Sequence, residues 1–138
     1  MSSTALVKSS KTKQDWSCQP VAYKFVIEQL YKLGATATHN IKSQFALVGT
    51  GITEAANEDP LLPHTKDGCK KTAELLLKMA WVRSGFNSTL RTGNLYGLYQ
   101  IYKNDDVNQI YLQIPKSASL IAIDLIREKF LSNLRLNS

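Results

Sequence analysis

"TATHNIKSQFALVGTGITEAANEDP", residues 36–60, carries Ile41, Phe45, Val48, Ile52, Ala55 and Ala56 at intervals of three and four. Lys42, Ser43, Thr50, Thr53, Glu54 and Asn57 are set opposite them. This spacing gathers the apolar set on one face of a helix and the polar set on the other, so the stretch reads as an amphipathic helix. Pro60 and Pro63 in "EDPLLPH" end it, because neither can continue a helical hydrogen-bond ladder. Gly49-Thr50-Gly51 is no phosphate-binding loop: it follows no strand and lacks a Gly-Lys-Ser/Thr ending. Glycine costs about 1 kcal/mol relative to Ala inside a helix, so the pair marks a close helix contact or a local bend.

Upstream, "PVAYKFVIEQLYKLG" sets Pro20 at a helix start and Gly34 just past its end, the expected asymmetry. Lys24, Glu28 and Lys32 form one narrow polar stripe, read as a solvated ladder of ion pairs on a mostly buried helix. Downstream, "HTKDGCKKTAELLLKMAWVRSG" (64–85) is a third helix, with Leu75, Leu76, Leu77, Met79 and Ala80 over a wide apolar surface. Asp67 precedes Lys71, and Glu74 precedes Lys78, by four residues, which accounts for two of its cations within the helix. Lys66, Lys70 and Arg83 have no such neighbour.

"SGFNSTLRTGN" is read as a polar loop, and "NLYGLYQIYKNDD" resumes helical spacing through Leu95, Leu98, Tyr99 and Tyr102. "VNQIYLQIP" alternates like a strand but has no evident partner, so a short helix or extended connector is expected. The last helix follows Pro115, with Ser117 or Ser119 as N-cap. Residues 1–15, rich in Ser, Thr and Lys, are expected to form a flexible basic tail. The resulting expectation is all-α: a compact bundle of about five helices, with residues 16–138 as a single helical domain.

The chain of 138 residues has a formal net charge of +6, which points to polyanionic partners rather than to any fold. Cys18 and Cys69 lie far apart and fit no metal or redox motif, so a reduced, cytoplasmic setting without bound metal is the expectation. No signal-peptide core or membrane-length apolar run is visible. The sequon Asn87-Ser88-Thr89 is then a chance match. His39 and His64 show no metal-ligand spacing. Either can in principle approach a cysteine, but nothing in the spacing indicates a thiol enzyme. The adjacent carboxylates Glu58-Asp59 and Asp105-Asp106 sit where turns and caps use them and are read as structural. No catalytic set and no cofactor are expected.

The cations without a helical partner therefore lead. Arg83 runs into a loop holding Arg91 and several hydroxyl residues, a composition suited to phosphate. Trp81 and Tyr96 can stack on bases, or the tyrosines can pack the core with their hydroxyls at its rim. In the last helix, Ile121 and Leu125 extend the apolar surface beyond one core stripe, which suggests a protein interface. Arg127 lies among apolar positions, either pairing with Asp124 or Glu128 or marking that same interface.

In size, charge and helix content the chain resembles the small subunits of CRISPR effector complexes, with "KKTAELLLKMAWVRSG" as the kind of basic helix that lies along a duplex or displaced strand. The resemblance implies sequence-independent backbone contacts by Lys66, Lys70, Arg83 and Arg91, assembly with larger subunits and copies of itself, and no catalysis. The alternative is a structural helical protein, such as a phage or viral coat protein or an adaptor, whose positive charge serves solubility.

Overall fold

The structure, a computed structural model, describes residues 17–104 and 107–137, with side chains as far as 133. The sequence's basic tail and Asp105-Asp106 lie outside the described residues. The helices are α1 (Tyr23–Leu33), α2 (His39–Lys42), α3 (Phe45–Glu58), α4 (Gly68–Ser84), α5 (Gln109–Leu112) and α6 (Pro115–Asn137). Between α4 and α5 lie three short strands, β1 (Arg91–Thr92), β2 (Leu95–Tyr96) and β3 (Ile101–Tyr102).

The centre is α3, which packs against α1, α4 and α6. Phe45, Val48, Ile52, Ala55 and Ala56 are all buried on it, as the spacing requires. The two glycines explain how its neighbours approach. A Cβ on Gly49 would meet the Ile27 side chain of α1 at 2.8 Å, and one on Gly51 would meet the backbone N of Lys116 at 2.6 Å. Each glycine is thus a helix-crossing point. The helical pattern from residue 39 is broken once, at Ser43 and Gln44, which separate the single turn α2 from α3. Gln44 is put to use there: its Oε1 accepts from the Ser88 amide at 3.2 Å and the Ser88 hydroxyl at 2.9 Å, tying the start of α3 to the segment after α4.

The all-α expectation needs correction between residues 85 and 104. "NLYGLYQIY" is not a helix but β2, a turn and β3, in an antiparallel sheet ordered β1-β2-β3. Its register pairs Thr92 with Leu95 and Tyr96 with Ile101. Apolar spacing misled here because the glycines override it. Gly93 and Gly97 have φ of +61° and +81°, where a helix cannot run. Gly97 is doubly constrained, since a Cβ there would run into the Leu112 carbonyl of α5.

The cysteine expectation is also corrected: Cys18 and Cys69 form a disulfide, with Cα atoms 5.8 Å apart. Closing a separation of 51 residues stabilises a chain by about 4 kcal/mol in the loop-entropy account. The pairing is a product of tertiary structure. Residues 17–20 run as an extended segment beside the turn before α4, where the Ser17 and Cys18 amides both donate to Pro63 O at 2.8 and 3.0 Å. Gln19 N donates to Lys66 O at 2.9 Å. Asn57 then brackets Val21, accepting from its N at 2.8 Å and donating to its O at 3.0 Å.

Other details depart from expectation in smaller ways. In α1 only Val26 and Leu30 are buried, and Tyr23 and Tyr31 stand in solvent. Pro20 precedes that helix, whose N-cap is Ala22. Ser119 is no cap either, because α6 starts at Pro115 and Ser119 is fully buried within it. No helix among the described residues is long and apolar enough to cross a membrane.

Candidate nucleic-acid interface

Arg83 projects from the last turn of α4, where a cation is favoured by the helix dipole. The helix stops there because Gly85 turns left-handed at φ +60°, with Gly85 N donating to Trp81 O at 2.9 Å. Phe86 follows at φ +66°, an unusual conformation for a bulky residue. Its ring is fully buried, edge-on to Phe45 at 5.6 Å and tilted against Trp81 at 5.4 Å. Core packing therefore fixes the exit from α4, and with it the position of Arg83. Ser84 reinforces the junction, its Oγ lying 2.7 Å from Leu98 O and 2.9 Å from Ala80 O.

Between this end of α4, the small sheet and α6 lies an open groove of about 380 Å³. Tyr99, Gln100 and Ala122 are the buried part of its lining, and Arg83, Leu95, Tyr102, Leu125 and Lys129 are the exposed part. Among the described residues, none of those lining it is a carboxylate, and neither Arg83 nor Lys129 makes an ion pair. Gln100 is held at φ +49°, its side-chain amide donating to Leu90 O at 3.0 Å and Gly97 O at 2.9 Å. Those two bonds maintain the bend that presents Ile101 and Tyr102 to the groove. Tyr99 turns its hydroxyl inward, 2.7 Å from Ser119 Oγ on α6. Burial pushes that phenol well above its ordinary value, with the Ser119 hydrogen bond opposing only in part. Tyr99 is thus a neutral structural residue and no acid or base.

The structure does not bring the four expected cations together. Lys70 lies in the first turn of α4 with its Nζ 4.8 Å from the Phe25 ring centre, and Lys66 is in the turn before it. At 1.5 Å per residue, Lys70 is roughly 20 Å along the helix from Arg83. Arg91 lies on β1, its guanidinium 4.9 Å above the Tyr96 ring and its Nε donating to Gly93 O at 3.1 Å, outside the groove. Instead Arg83 meets Leu125, expected at a protein interface, and Lys129, which sequence reasoning missed. No local signal links residues so distant in the chain. The tyrosines divide: Tyr96 and Tyr99 are buried, whereas Tyr102 is 63% exposed.

Nor do the helix ion pairs form. Lys24, Glu28, Lys32, Lys71 and Lys78 are exposed and Glu74 is half-buried, yet among the described residues the ion pairs are Lys116–Glu58, Arg127–Asp59 and Arg127–Asp124. Arg127 is committed to structure. Its Nη2 donates to Asp59 at 3.0 Å and Pro60 O at 3.3 Å, and its Nη1 to Asp124 at 3.3 Å, pinning α6 to the end of α3. Ile121 is half-buried and Leu125 exposed.

Across α6 from the first groove is a second, of about 330 Å³, bounded by Leu61, Leu62, Leu75, Ile126 and Phe130. Comparison with protein-family models, curated proteins and solved structures finds no match to this chain.

Proposed function

We propose that the chain is a non-enzymatic helical module that binds a nucleic-acid backbone, without reading sequence, in the groove between α4, the sheet and α6. The observation that carries this reading is the pairing of Arg83 and Lys129, both without an ion-pair partner among the described residues, around an exposed Tyr102. Two cations across an open groove suit successive phosphates, and an exposed ring suits a base stacked between them. The net charge of +6 favours the encounter. Lys66, Lys70 and Arg91 then act at most as outlying charges.

Membership of a larger ribonucleoprotein, in the manner of the CRISPR small subunits, draws support from size, charge and helix content. The disulfide speaks against the cytoplasmic part of that reading, because such bonds persist in oxidising compartments and are rare in the cytosol. A thiol enzyme loses its nucleophile to the same bond.

Anisotropy of a labelled single-stranded oligonucleotide tests the proposal. Binding should weaken steeply with added salt, and Arg83→Glu with Lys129→Glu should lower affinity roughly tenfold or more. No binding at low salt, or binding indifferent to that double reversal, overturns it. So does retention of an acidic polysaccharide by a chain that ignores the oligonucleotide.

The second apolar groove favours the alternative, a structural interaction protein. Leu62, Leu75 and Phe130 are exposed around it, an apolar lining of the kind a protein partner covers. Assembly that forms without nucleic acid, and that survives charge reversal at Arg83 and Arg91, would select this reading.

A further inference from the structure

We propose that the Cys18–Cys69 disulfide is a redox latch: its reduction by a dithiol frees residues 17–20 from the turn before α4 and loosens one wall of the apolar groove, while the helical core stays folded. The inference does not depend on nucleic-acid binding.

The two sulfurs are placed unequally. Cys69 is 2% exposed, whereas Cys18 is only half-buried, so an incoming thiolate reaches Cys18 Sγ first. The sulfur then expelled is Cys69 Sγ, second residue of the 17-residue helix α4. The positive end of the helix stabilises it as a departing thiolate. In the exchange, one reductant thiolate bonds to Cys18 Sγ as the Cys18–Cys69 bond breaks, and its electron pair leaves on Cys69 Sγ, which takes a proton. The second reductant thiolate attacks the mixed disulfide, releasing Cys18 as a thiol and closing the reductant's own disulfide. Two electrons and two protons pass to the protein, and the dithiol is oxidised.

What the bond holds is local. Besides the disulfide, residues 17–20 are fastened, among the described residues, by three backbone hydrogen bonds to Pro63 O and Lys66 O. The next anchor inward is the Asn57 bracket on Val21, which the disulfide does not serve. On the turn's side, Leu61 N donates to Thr72 Oγ1 at 2.9 Å, and Arg127 holds Asp59 and Pro60, so the turn's base stays fixed. Its outer portion, residues 62–66, loses the contact with residues 17–19 on reduction but keeps the bonds from Thr65 N to Leu62 O at 3.2 Å and from Gly68 N to Thr65 O at 2.8 Å. Leu62 belongs to that portion and to the groove wall.

Hydrogen exchange on the full chain, oxidised and then treated with a dithiol under native conditions, tests the latch, with mass after alkylation reporting bond cleavage. Cleavage should proceed without denaturant. The amides of Ser17, Cys18 and Gln19 should then lose at least about tenfold in protection, while those of α3 and the helical circular dichroism stay unchanged. A Cys18→Ser, Cys69→Ser chain should reproduce the reduced pattern. Three results overturn the proposal: a bond that the dithiol cannot cut until the chain is unfolded, unchanged protection after cleavage, or loss of protection throughout, which would make the bond a staple for the whole fold. Should the double variant fail to fold, reduction of the native chain still decides among these.

Discussion

The two grooves beside the middle of α6 share Ile126 and differ in almost everything that surrounds it. One is walled by a sheet whose backbone is held in left-handed turns, and it gathers Arg83, Lys129 and Tyr102. The other is walled by the Pro-rich turn before α4 and is apolar except for Lys71, Thr72 and Arg127, the last of which is neutralised by two aspartates. Among the described residues, two cations are left unpaired in the first groove, whereas in the second Arg127 is paired and Lys71 alone is not. A site for a polyanion needs the first arrangement, because a cation already bound to carboxylate has little left to offer phosphate. A protein contact tolerates the second.

The largest expected effect separates the grooves through their walls. Gly97 has φ +81°, and a Cβ there would run into the Leu112 carbonyl. Gly97→Ala therefore combines left-handed strain with a backbone clash that no side-chain rotation relieves, about 3 kcal/mol together. Urea denaturation should report that loss. The polyanion groove should be disrupted with it, whereas the redox-sensitive protection of the Ser17, Cys18 and Gln19 amides should be unchanged.

Next comes the helix crossing on which both grooves rest. Gly51→Ala forces a methyl group against the backbone of Lys116, and should cost about 2 kcal/mol despite the better helix propensity of Ala. Gly49→Ala meets only the far end of the Ile27 side chain, which can rotate, so its effect should stay within about 1 kcal/mol of zero. Equal losses at the two positions would contradict the account of α3 as a helix with one rigid and one yielding crossing.

These positions also show what could be read from the chain alone. The core of α3 was legible because Phe45, Val48, Ile52 and Ala55 obey a single period and one helix face stays buried along its length. The sheet was not, because Leu95, Leu98, Tyr99 and Tyr102 satisfy helical spacing while Gly93 and Gly97 impose turns, and spacing alone does not rank the two signals. Arg83 stood out by lacking a partner four residues away, but the ion pairs assumed for its neighbours did not form. Lys129, Tyr102 and the Cys18–Cys69 bond depend on how distant segments meet, and no local pattern carries that information.

A smaller effect tests the floor of the polyanion groove. Tyr99→Phe removes the partner of the buried Ser119 hydroxyl and should cost about 1 kcal/mol near neutral pH, with oligonucleotide affinity unchanged. The folded phenol holds its proton more tightly than the unfolded one, so the native chain keeps this stability below the ordinary value of about 10 and loses it as pH rises beyond. Denaturation midpoints measured through the alkaline range should fall less steeply in Tyr99→Phe than in the parent chain.

The smallest effect concerns Arg127, whose place beside the apolar groove invites a binding role. Its side chain is 38% exposed and that of its Asp59 partner 31% exposed, so solvent screens the pair and Arg127→Ala should cost about 1 kcal/mol or less, the loss shrinking as salt is added. Because both carboxylates claim this cation, its removal should leave oligonucleotide affinity within about twofold of the parent, in contrast to Arg83→Glu with Lys129→Glu. If Arg127→Ala instead weakens binding as much as that double reversal, the polyanion bridges α6 from both sides, and the contrast between a charged and an apolar groove no longer describes how the surface works.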